Sequence, residues 1–327
     1  MSAHPDRDSS TGPGVDPRPA TDSERPRLFR LAAGLRSWTQ APSPRSARIG
    51  LVLALLLFVA AGIAAVADLP ELPTLRPVPL ALSVVVVIPA VLSINAAEFV
   101  LAARAVAQTV TRTAALRIAL LSAAANLLPV PGATVVRTAA IARMGVSLGR
   151  ATAAGSSVAL ARLSTTALAA GTLLVAVGDK ALLGWLVLAG GAIGLAASYG
   201  LLLAIGTRRD IQRVAPLILL AEVGYVGITT FRLFLVFWGF GFEASVSQVV
   251  ALTLAPPLAN LVGFFPSGIG LRELVAAALA PMLGLAASVS VVVTAVDRVA
   301  GLLGMAAVAA VMAATGHRLQ PPDLDNT

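Results

Sequence analysis

Nine charged residues lie inside stretches of this chain that are otherwise apolar, and their side chains are the first candidates for chemistry. Even a lenient scale of membrane insertion assigns a central charge about 2.5 to 3.5 kcal/mol, so nine unpaired charges would cost roughly 25 kcal/mol. They must therefore pair with one another, face water or hold a ligand. They are five arginines and four acids, namely Arg137, Arg162, Arg232, Arg272, Arg298, Glu98, Glu222, Glu273 and Asp297.

Two of the apolar stretches are interrupted by prolines and glycines, and an arginine follows each interruption closely. A new half-helix is expected after Gly132 and after Gly270, where unpaired N–H groups and the positive end of the helix dipole favour an anion. Arg137 and Arg272 fall in the first turns of these half-helices, and Gly132, Gly268 and Gly270 would let the backbone approach a ligand. The pattern predicts an anion site, and phosphate is the anion that a membrane supplies in quantity.

Polar residues at helical spacing accompany two further arginines. Ser290, Thr294 and Arg298 recur every four residues with Asp297 beside them, and Arg162 precedes two threonines by three and four residues. Such a stripe lines a cavity or packs against another helix. We expect Arg137, Arg272 and Arg298 to hold phosphate while Glu273 and Asp297 orient them or relay protons. For Glu98, Glu222 and Arg232, internal salt bridges are an equally good interpretation.

Several kinds of chemistry have no candidate residues. The chain has no cysteine, and its two histidines, His4 and His317, lie in the terminal segments, so we expect no metal site and no cofactor. Neither a Walker A motif nor a GxSxG motif occurs. We therefore expect a protein that is not an enzyme, although a carboxylate-based membrane transferase using Glu273 and Asp297 stays open.

The composition identifies the elements that must position these residues. Hydrophobic residues make up 57% of the 327 residues and charged ones 12%, against roughly 25% charged in soluble domains. This excludes a cytosolic enzyme, a disordered regulator and a nucleic-acid module. We predict an all-α polytopic membrane protein with six spans of about 20 residues and two re-entrant helical hairpins, 114–147 and 247–286. The spans are 49–67, 80–103, 151–177, 181–205, 217–239 and 288–314.

The two ends of the chain differ from its centre. Residues 1–48 are rich in Pro, Ser, Asp and Arg, which predicts a disordered basic tail. Within it, Leu28, Leu31, Leu35 and Trp38 are spaced for an amphipathic helix on an anionic membrane surface, or for a basic flank that only orients the first span. Residues 315–327 form a second predicted tail.

Basic residues predict which side each connection faces. Seventeen lie in the segments assigned to the cytoplasm, eight of them in the first tail, whereas only Arg76 and Lys180 fall in external loops. Both termini are then cytoplasmic, and the membrane domain 49–314 divides into two units, 49–177 and 181–314, of opposite crossing sense. Such an inverted repeat with discontinuous elements is typical of a transport site at the midplane.

Two segments resemble a known family. Asn126-Leu-Leu-Pro-Val-Pro-Gly-Ala-Thr-Val-Val-Arg137, followed by Gly145-Val-Ser-Leu-Gly-Arg-Ala151 and Arg162, is similar to the first signature of the lysylphosphatidylglycerol synthetase/flippase transmembrane-domain family. Phe265-Pro-Ser-Gly-Ile-Gly-Leu-Arg-Glu273, followed by Asp297-Arg298, resembles its Pro-x-Gly-x-Gly-x-x-Glu signature. The resemblance spans about residues 49 to 314.

The resemblance implies translocation of a phospholipid or polyprenyl-linked lipid head group across a bacterial-type plasma membrane. The chain departs from the family pattern at Ala133, where an acid often stands, and at Ala161, where a Glu-Arg pair is usual. We expect no aminoacyltransferase domain and hence no lysylphosphatidylglycerol synthesis. Two alternatives stay open, an ion-coupled carrier of a small soluble anion and a non-transporting assembly partner of a lipid- or cell-wall-synthesis enzyme.

Overall fold

A computed structural model describes residues 44–69, 74–126, 132–177, 181–261 and 270–315, and all the regular structure within these ranges is helical. The predictions for the two terminal tails lie outside the described residues, apart from the start of the first helix at Pro44. The residues of both interruptions, 127–131 and 262–269, lie outside them as well. The helices are α1 Pro44–Ala67, α2 Pro77–Ala105, α3 Arg112–Ala125, α4 Gly132–Arg143, α5 Leu148–Val177, α6 Ala181–Ile205, α7 Arg208–Gly239, α8 Val246–Leu252, α9 Ala255–Leu261, α10 Leu271–Leu279 and α11 Ala287–Ala314.

Five of these helices are long and apolar enough to cross a membrane, namely α2, α5, α6, α7 and α11. They have 25 to 32 residues, and about 20 suffice to cross the hydrocarbon core. The sixth predicted span, 49–67, lies within α1, whose apolar part among the fully described residues is Phe58–Ala67. The chain is therefore an all-helical, multi-pass membrane protein.

The centre of the bundle consists of four of the long helices. α2 packs against α5, α7 and α11, and α7 packs against α5 and α11 as well. α6 lies against α5, where glycines bring the two backbones together: a Cβ on Gly171, Gly184 or Gly191 would lie 2.7–3.0 Å from atoms of the other helix. Close approach through small residues is the usual way in which membrane helices associate.

The two predicted hairpins are seen as pairs of short helices. α3 and α4 have 14 and 12 residues, too few to cross a bilayer, and they pack against each other. In the second hairpin the first arm is itself divided into α8 and α9, because Pro256 and Pro257 are tolerated only in the first turn of a new helix. α4 packs on α5 just as α10 packs on α11, so each hairpin delivers its second arm to the long helix that follows it.

The structure differs from the prediction at the connection between the fourth and fifth spans. Residues 205 to 217 were expected to form a loop, but α7 begins at Arg208, leaving a connection of two residues. The helix starts early because the Thr207 hydroxyl accepts a hydrogen bond from the Asp210 amide, 3.3 Å away. This is an N-cap interaction, which satisfies one of the unpaired donors at a helix start.

The order of the elements is the same in both halves of the described chain: two helices, a broken segment and a long helix. This is the order that the sequence predicts for the two units. Their opposite sense of crossing stays a prediction.

Candidate functional site

The nine embedded charges collect into two clusters of ion pairs. The first cluster consists of Asn95 and Glu98 on α2, Arg137 on α4, Arg162 on α5 and Glu222 on α7. The second consists of Arg232 on α7, Arg272 and Glu273 on α10, and Asp297 and Arg298 on α11. Each cluster joins a hairpin arm to the central long helices.

Arg162 is the hub of the first cluster. Its Nε donates to Glu222 Oε2 at 3.2 Å, and its Nη2 donates to Asn95 Oδ1 at 2.9 Å and to Glu98 Oε2. Its guanidinium carbon lies 3.7 Å from the centre of the Tyr225 ring, a cation–π contact. A planar guanidinium with five N–H groups can serve all these partners at once, which an ammonium cannot.

Arg137 approaches the same cluster from the first hairpin. Its Nη2 donates to Asn95 Oδ1 at 3.3 Å, and its Nη1 lies 3.6 Å from Glu98 Oε2. The amide oxygen of Asn95 thus accepts from two guanidiniums. With two arginines and two glutamates, the first cluster is formally neutral.

Asp297 is the hub of the second cluster. Arg232 donates to its two carboxylate oxygens in a bidentate pair, with both distances 2.6 Å, and Arg272 also donates to Oδ2. The bidentate geometry is the strongest form of this ion pair. One carboxylate therefore holds arginines from two different helices.

Glu273 forms the other half of the second cluster. Arg298 Nε donates to its Oε1 at 3.1 Å, and the backbone N–H of Gly270 donates to its Oε2 at 2.9 Å. Gly270 has φ of +78°, a conformation that favours glycine. The N-terminus of α10, predicted to attract an external anion, is thus already occupied by a carboxylate of its own first turn.

Helix α7 connects the two clusters. Glu222, Tyr225, Thr229 and Arg232 follow one another at intervals of three and four residues, so they lie on one face of the helix. The face extends over ten residues, or about 15 Å at 1.5 Å per residue. Glu222, at one end of this face, belongs to the first cluster, and Arg232, at the other end, belongs to the second.

A cavity of about 130 Å³ lies beside this face. It contains the side chains of three arginines, three threonines, one tyrosine and one aspartate, together with apolar residues and two prolines. The lining residues are Arg162, Thr166, Tyr225, Thr229, Arg232, Leu233, Leu252, Thr253, Pro256, Pro257, Arg272 and Asp297. Arg162 thus belongs to the first cluster and to the wall of the cavity.

The arginines of both clusters are more accessible than the acids. The five guanidinium side chains are 11–20% exposed, whereas the four carboxylate side chains are at most 2% exposed. The cavity therefore presents guanidinium N–H groups backed by buried negative charge. Its chemistry suits an anion that is bound by several hydrogen bonds and a partial charge.

The predicted site residues are divided between these places. Arg162, Arg272 and Asp297 line the cavity, whereas Arg137 lies in the first cluster, and Arg298 and Glu273 lie in the second, outside the cavity lining. The structure thus brings Arg272 and Asp297 together and places Arg137 apart from them.

The predicted glycines have separate roles in the backbone. Gly132 begins α4, and a Cβ there would overlap the carbonyl group of Ala125 at the end of α3. Asn126 also links the end of α3 to the start of α4, since its Oδ1 accepts from the Ala133 amide at 2.9 Å. Gly270 takes the positive φ described above, and Gly268 lies outside the described residues.

The sequence patterns do not indicate Asn95, Tyr225, Thr229 or Thr253 as site residues, and for Glu98, Glu222 and Arg232 they leave internal salt bridges as an equally good interpretation. All three form ion pairs in the structure. The signal for α7 was available, since four polar residues at intervals of three and four on an apolar helix indicate one polar face. Asn95 lies three residues before Glu98, so the same spacing places these two side chains on one face of α2. No comparable signal marks Thr253, which stands alone in an apolar run.

One comparison with known proteins gives a match. A family model described as "Lysylphosphatidylglycerol synthase TM region" matches residues 46–309. No curated protein and no solved structure is significantly similar to the chain.

Proposed function

The chain belongs to the lysylphosphatidylglycerol synthase transmembrane-region family, and from this membership we propose that it moves the head group of a phospholipid or polyprenyl-linked lipid between the two leaflets of a membrane. The family match confirms the resemblance drawn from the two motif segments. The match identifies the chain as a membrane protein of a family with a lipid-related function. The transport activity itself is our proposal.

The observation that carries the proposal is the cavity between the two clusters. Three arginines line it, and a phosphate group accepts hydrogen bonds from guanidinium N–H groups. The hydroxyls of the three lining threonines donate to backbone carbonyls three or four residues earlier, so the arginines are the donors on which the proposal depends. Ligand pockets for whole drug-sized molecules have roughly 300 to 1,000 Å³. A cavity of about 130 Å³ suits only the phosphate portion of a head group, so the acyl or polyprenyl chains would stay in the bilayer.

The charge count supports an anionic or zwitterionic ligand. The second cluster contains three arginines and two carboxylates, and the segments 127–131 and 262–269 contribute no charged residue by sequence. The embedded groups therefore carry a formal charge of +1 together. A phosphodiester would neutralise this excess in a medium where an unbalanced charge is costly.

Reconstitution of the full chain into liposomes with a short-chain fluorescent phospholipid tests the proposal. Arg272→Gln is the informative variant, because Asp297 keeps its bidentate partner Arg232 and the protein should still fold. Loss of one hydrogen bond to a charged group is worth about 1.5 to 3 kcal/mol, so leaflet exchange should slow by about 10- to 100-fold. Arg104→Gln, at an exposed arginine away from the cavity, serves as the matched control and should exchange lipid at the wild-type rate.

The same liposomes distinguish the alternative functions. A carrier of soluble anions would accumulate a water-soluble phosphate ester and leave the fluorescent lipid in its original leaflet. An assembly partner would do neither. Equal exchange rates for wild type and Arg272→Gln would contradict the proposed role of the cavity.

A further inference from the structure

Two buried carboxylate oxygens of the first cluster have no hydrogen-bond partner among the described residues. They are Oε1 of Glu98 and Oε1 of Glu222, and both side chains are 0% exposed. The other oxygen of each carboxylate, Oε2, contacts Arg162. Buried carboxylate oxygens normally have a hydrogen-bond partner, so these two atoms, on residues that share one guanidinium, are where the first cluster could take up a further group.

The surroundings favour a proton as that group. The charged and titratable groups that face the two glutamates are Arg162 on α5, Arg137 on α4, and Tyr225 one turn along α7; α2 adds the uncharged Asn95. Among the described residues of the other helices that contact α2 or α7, no further side chain forms an ion pair with either glutamate. Two guanidiniums this close repel a metal cation, and no group of three metal-ligating side chains occurs in the described part of the chain. A proton needs only one oxygen and the room for one O–H bond.

We propose that Glu98 and Glu222 together bind one exchangeable proton on an Oε1 atom, and that this proton is taken up when an anion in the cavity engages Arg162. The second half of this statement rests on the proposed function, because it requires an anion in the cavity. The first half stands on the glutamates alone.

Arg162 provides the connection between the two events. Among the described residues its Nε and Nη2 hold the glutamates and Asn95, whereas its Nη1 has no hydrogen bond, and the residue lines the cavity. An anion that binds there shares the positive charge that stabilises both carboxylates. Two carboxylates close to each other repel, and this repulsion grows when their shared guanidinium also serves an anion. Protonation of one carboxylate then stabilises the pair.

Proton binding is measured first without any ligand. Infrared difference spectra of the full chain in liposomes, taken between about pH 5 and about pH 9, should show a carboxylic-acid carbonyl band that disappears as the pH rises, since a buried glutamate can titrate in this range. Glu98→Gln and Glu222→Gln should each remove the band, and both keep an acceptor oxygen for Arg162. Glu243→Gln, at an exposed acid between α7 and α8, is the matched control and should retain it.

The coupling is measured with glycerophosphoglycerol, a soluble phosphodiester that does not itself titrate near neutral pH. In weakly buffered solution with a pH indicator, wild type should take up close to one proton per anion bound, because binding that favours the protonated form draws protons from solution. In the two glutamine variants proton uptake should fall to background, and because glutamine imitates the protonated carboxyl group, both should bind the phosphodiester at least as tightly as wild type.

The outcomes separate this inference from the proposed function. Lipid exchange without a titrating band, or a band that survives in both glutamine variants, would overturn the proton site and leave the flippase proposal intact. Phosphodiester binding without proton uptake would overturn the coupling. A titrating band that requires both glutamates in a protein that exchanges no lipid would support the proton site while the proposed function fails.

Discussion

At the scale of single residues, the membrane charges of this protein are organised by guanidinium geometry. Arg162 contacts Asn95, Glu98 and Glu222 through two of its nitrogens and also lines a cavity. Arg232 donates hydrogen bonds to both carboxylate oxygens of Asp297. Only a planar cation with several fixed donors can join acceptors from different helices in this way. The predominance of arginine over lysine in the chain, which contains Lys180 as its one lysine, agrees with this use.

Among the embedded charges, Asp297 is the one whose replacement should lower the free energy of unfolding most. Asp297→Asn removes the buried counter-charge of two partly buried arginines, and breaking a buried ion pair by removing one partner typically costs about 3 to 5 kcal/mol. We expect a loss of at least about 3 kcal/mol in the free energy of unfolding, measured by equilibrium unfolding in detergent micelles. Arg272→Gln should cost clearly less, because Asp297 then retains Arg232. A change of less than about 0.5 kcal/mol in Asp297→Asn, as for an ordinary surface substitution, would show that the second cluster does not hold α7, α10 and α11 together.

At the scale of elements, the two hairpins deliver arginines to the centre by different local devices. In the first hairpin the Asn126 side chain satisfies an amide at the start of α4, and in the second the Glu273 carboxylate satisfies the amide of Gly270. Both helix starts therefore have internal acceptors. This is why we place the proposed anion site at the arginine side chains that line the cavity and not at the two helix starts.

The close approach of the end of α3 to the start of α4 should depend on Gly132. In Gly132→Ala the new methyl group would overlap the Ala125 carbonyl, so the two helix ends must separate and Arg137, five residues later, must move away from Glu98. We expect a loss of about 2 kcal/mol or more in unfolding free energy, in the range of substitutions that create strain. Gly149→Ala is the control, since a Cβ there meets no atom within 4 Å. Equal thermal stability of the two variants would contradict this role of Gly132.

The α5–α6 contact should depend equally on a small residue. A Cβ on Gly191 would lie 3.0 Å from backbone atoms of α5, whereas a Cβ on the neighbouring Gly190 meets nothing within 4 Å. Gly191→Leu should therefore separate the two helices and destabilise the protein by about 2 to 3 kcal/mol, in the range of overpacking effects. Gly190→Leu should leave stability within about 0.5 kcal/mol of wild type. Cross-linking of cysteines placed on the two helices would report the separation directly.

At the scale of the whole molecule, the sequence predicts where the helices lie better than it predicts which side chains pair between them. Hydropathy and length predicted the long helices, and the Pro/Gly interruptions predicted the short arms, because both signals are local. The pairing of Arg162 with Glu98 and Glu222 was not predictable in this way, since residues 60 or more positions apart are joined by helix packing. The early start of α7 was missed because its first turns carry three arginines and an aspartate, a composition that resembles a loop.

The two units of the chain should cross the membrane in opposite senses, and single cysteines can test this in a chain that has none of its own. Thr111 and Leu148 flank the first hairpin, Ser245 and Ala286 flank the second, and all four are exposed. In intact cells a membrane-impermeant maleimide should label Ser245→Cys and Ala286→Cys, and should leave Thr111→Cys and Leu148→Cys unlabelled until the cells are opened. This follows from seventeen basic residues on the cytoplasmic side against two outside, and from each hairpin returning to the side it entered. The 25 to 32 residues of the long helices separate the two pairs by a full bilayer, so labelling of all four from one side would rule out the inverted repeat while leaving the two ion-pair clusters as they are.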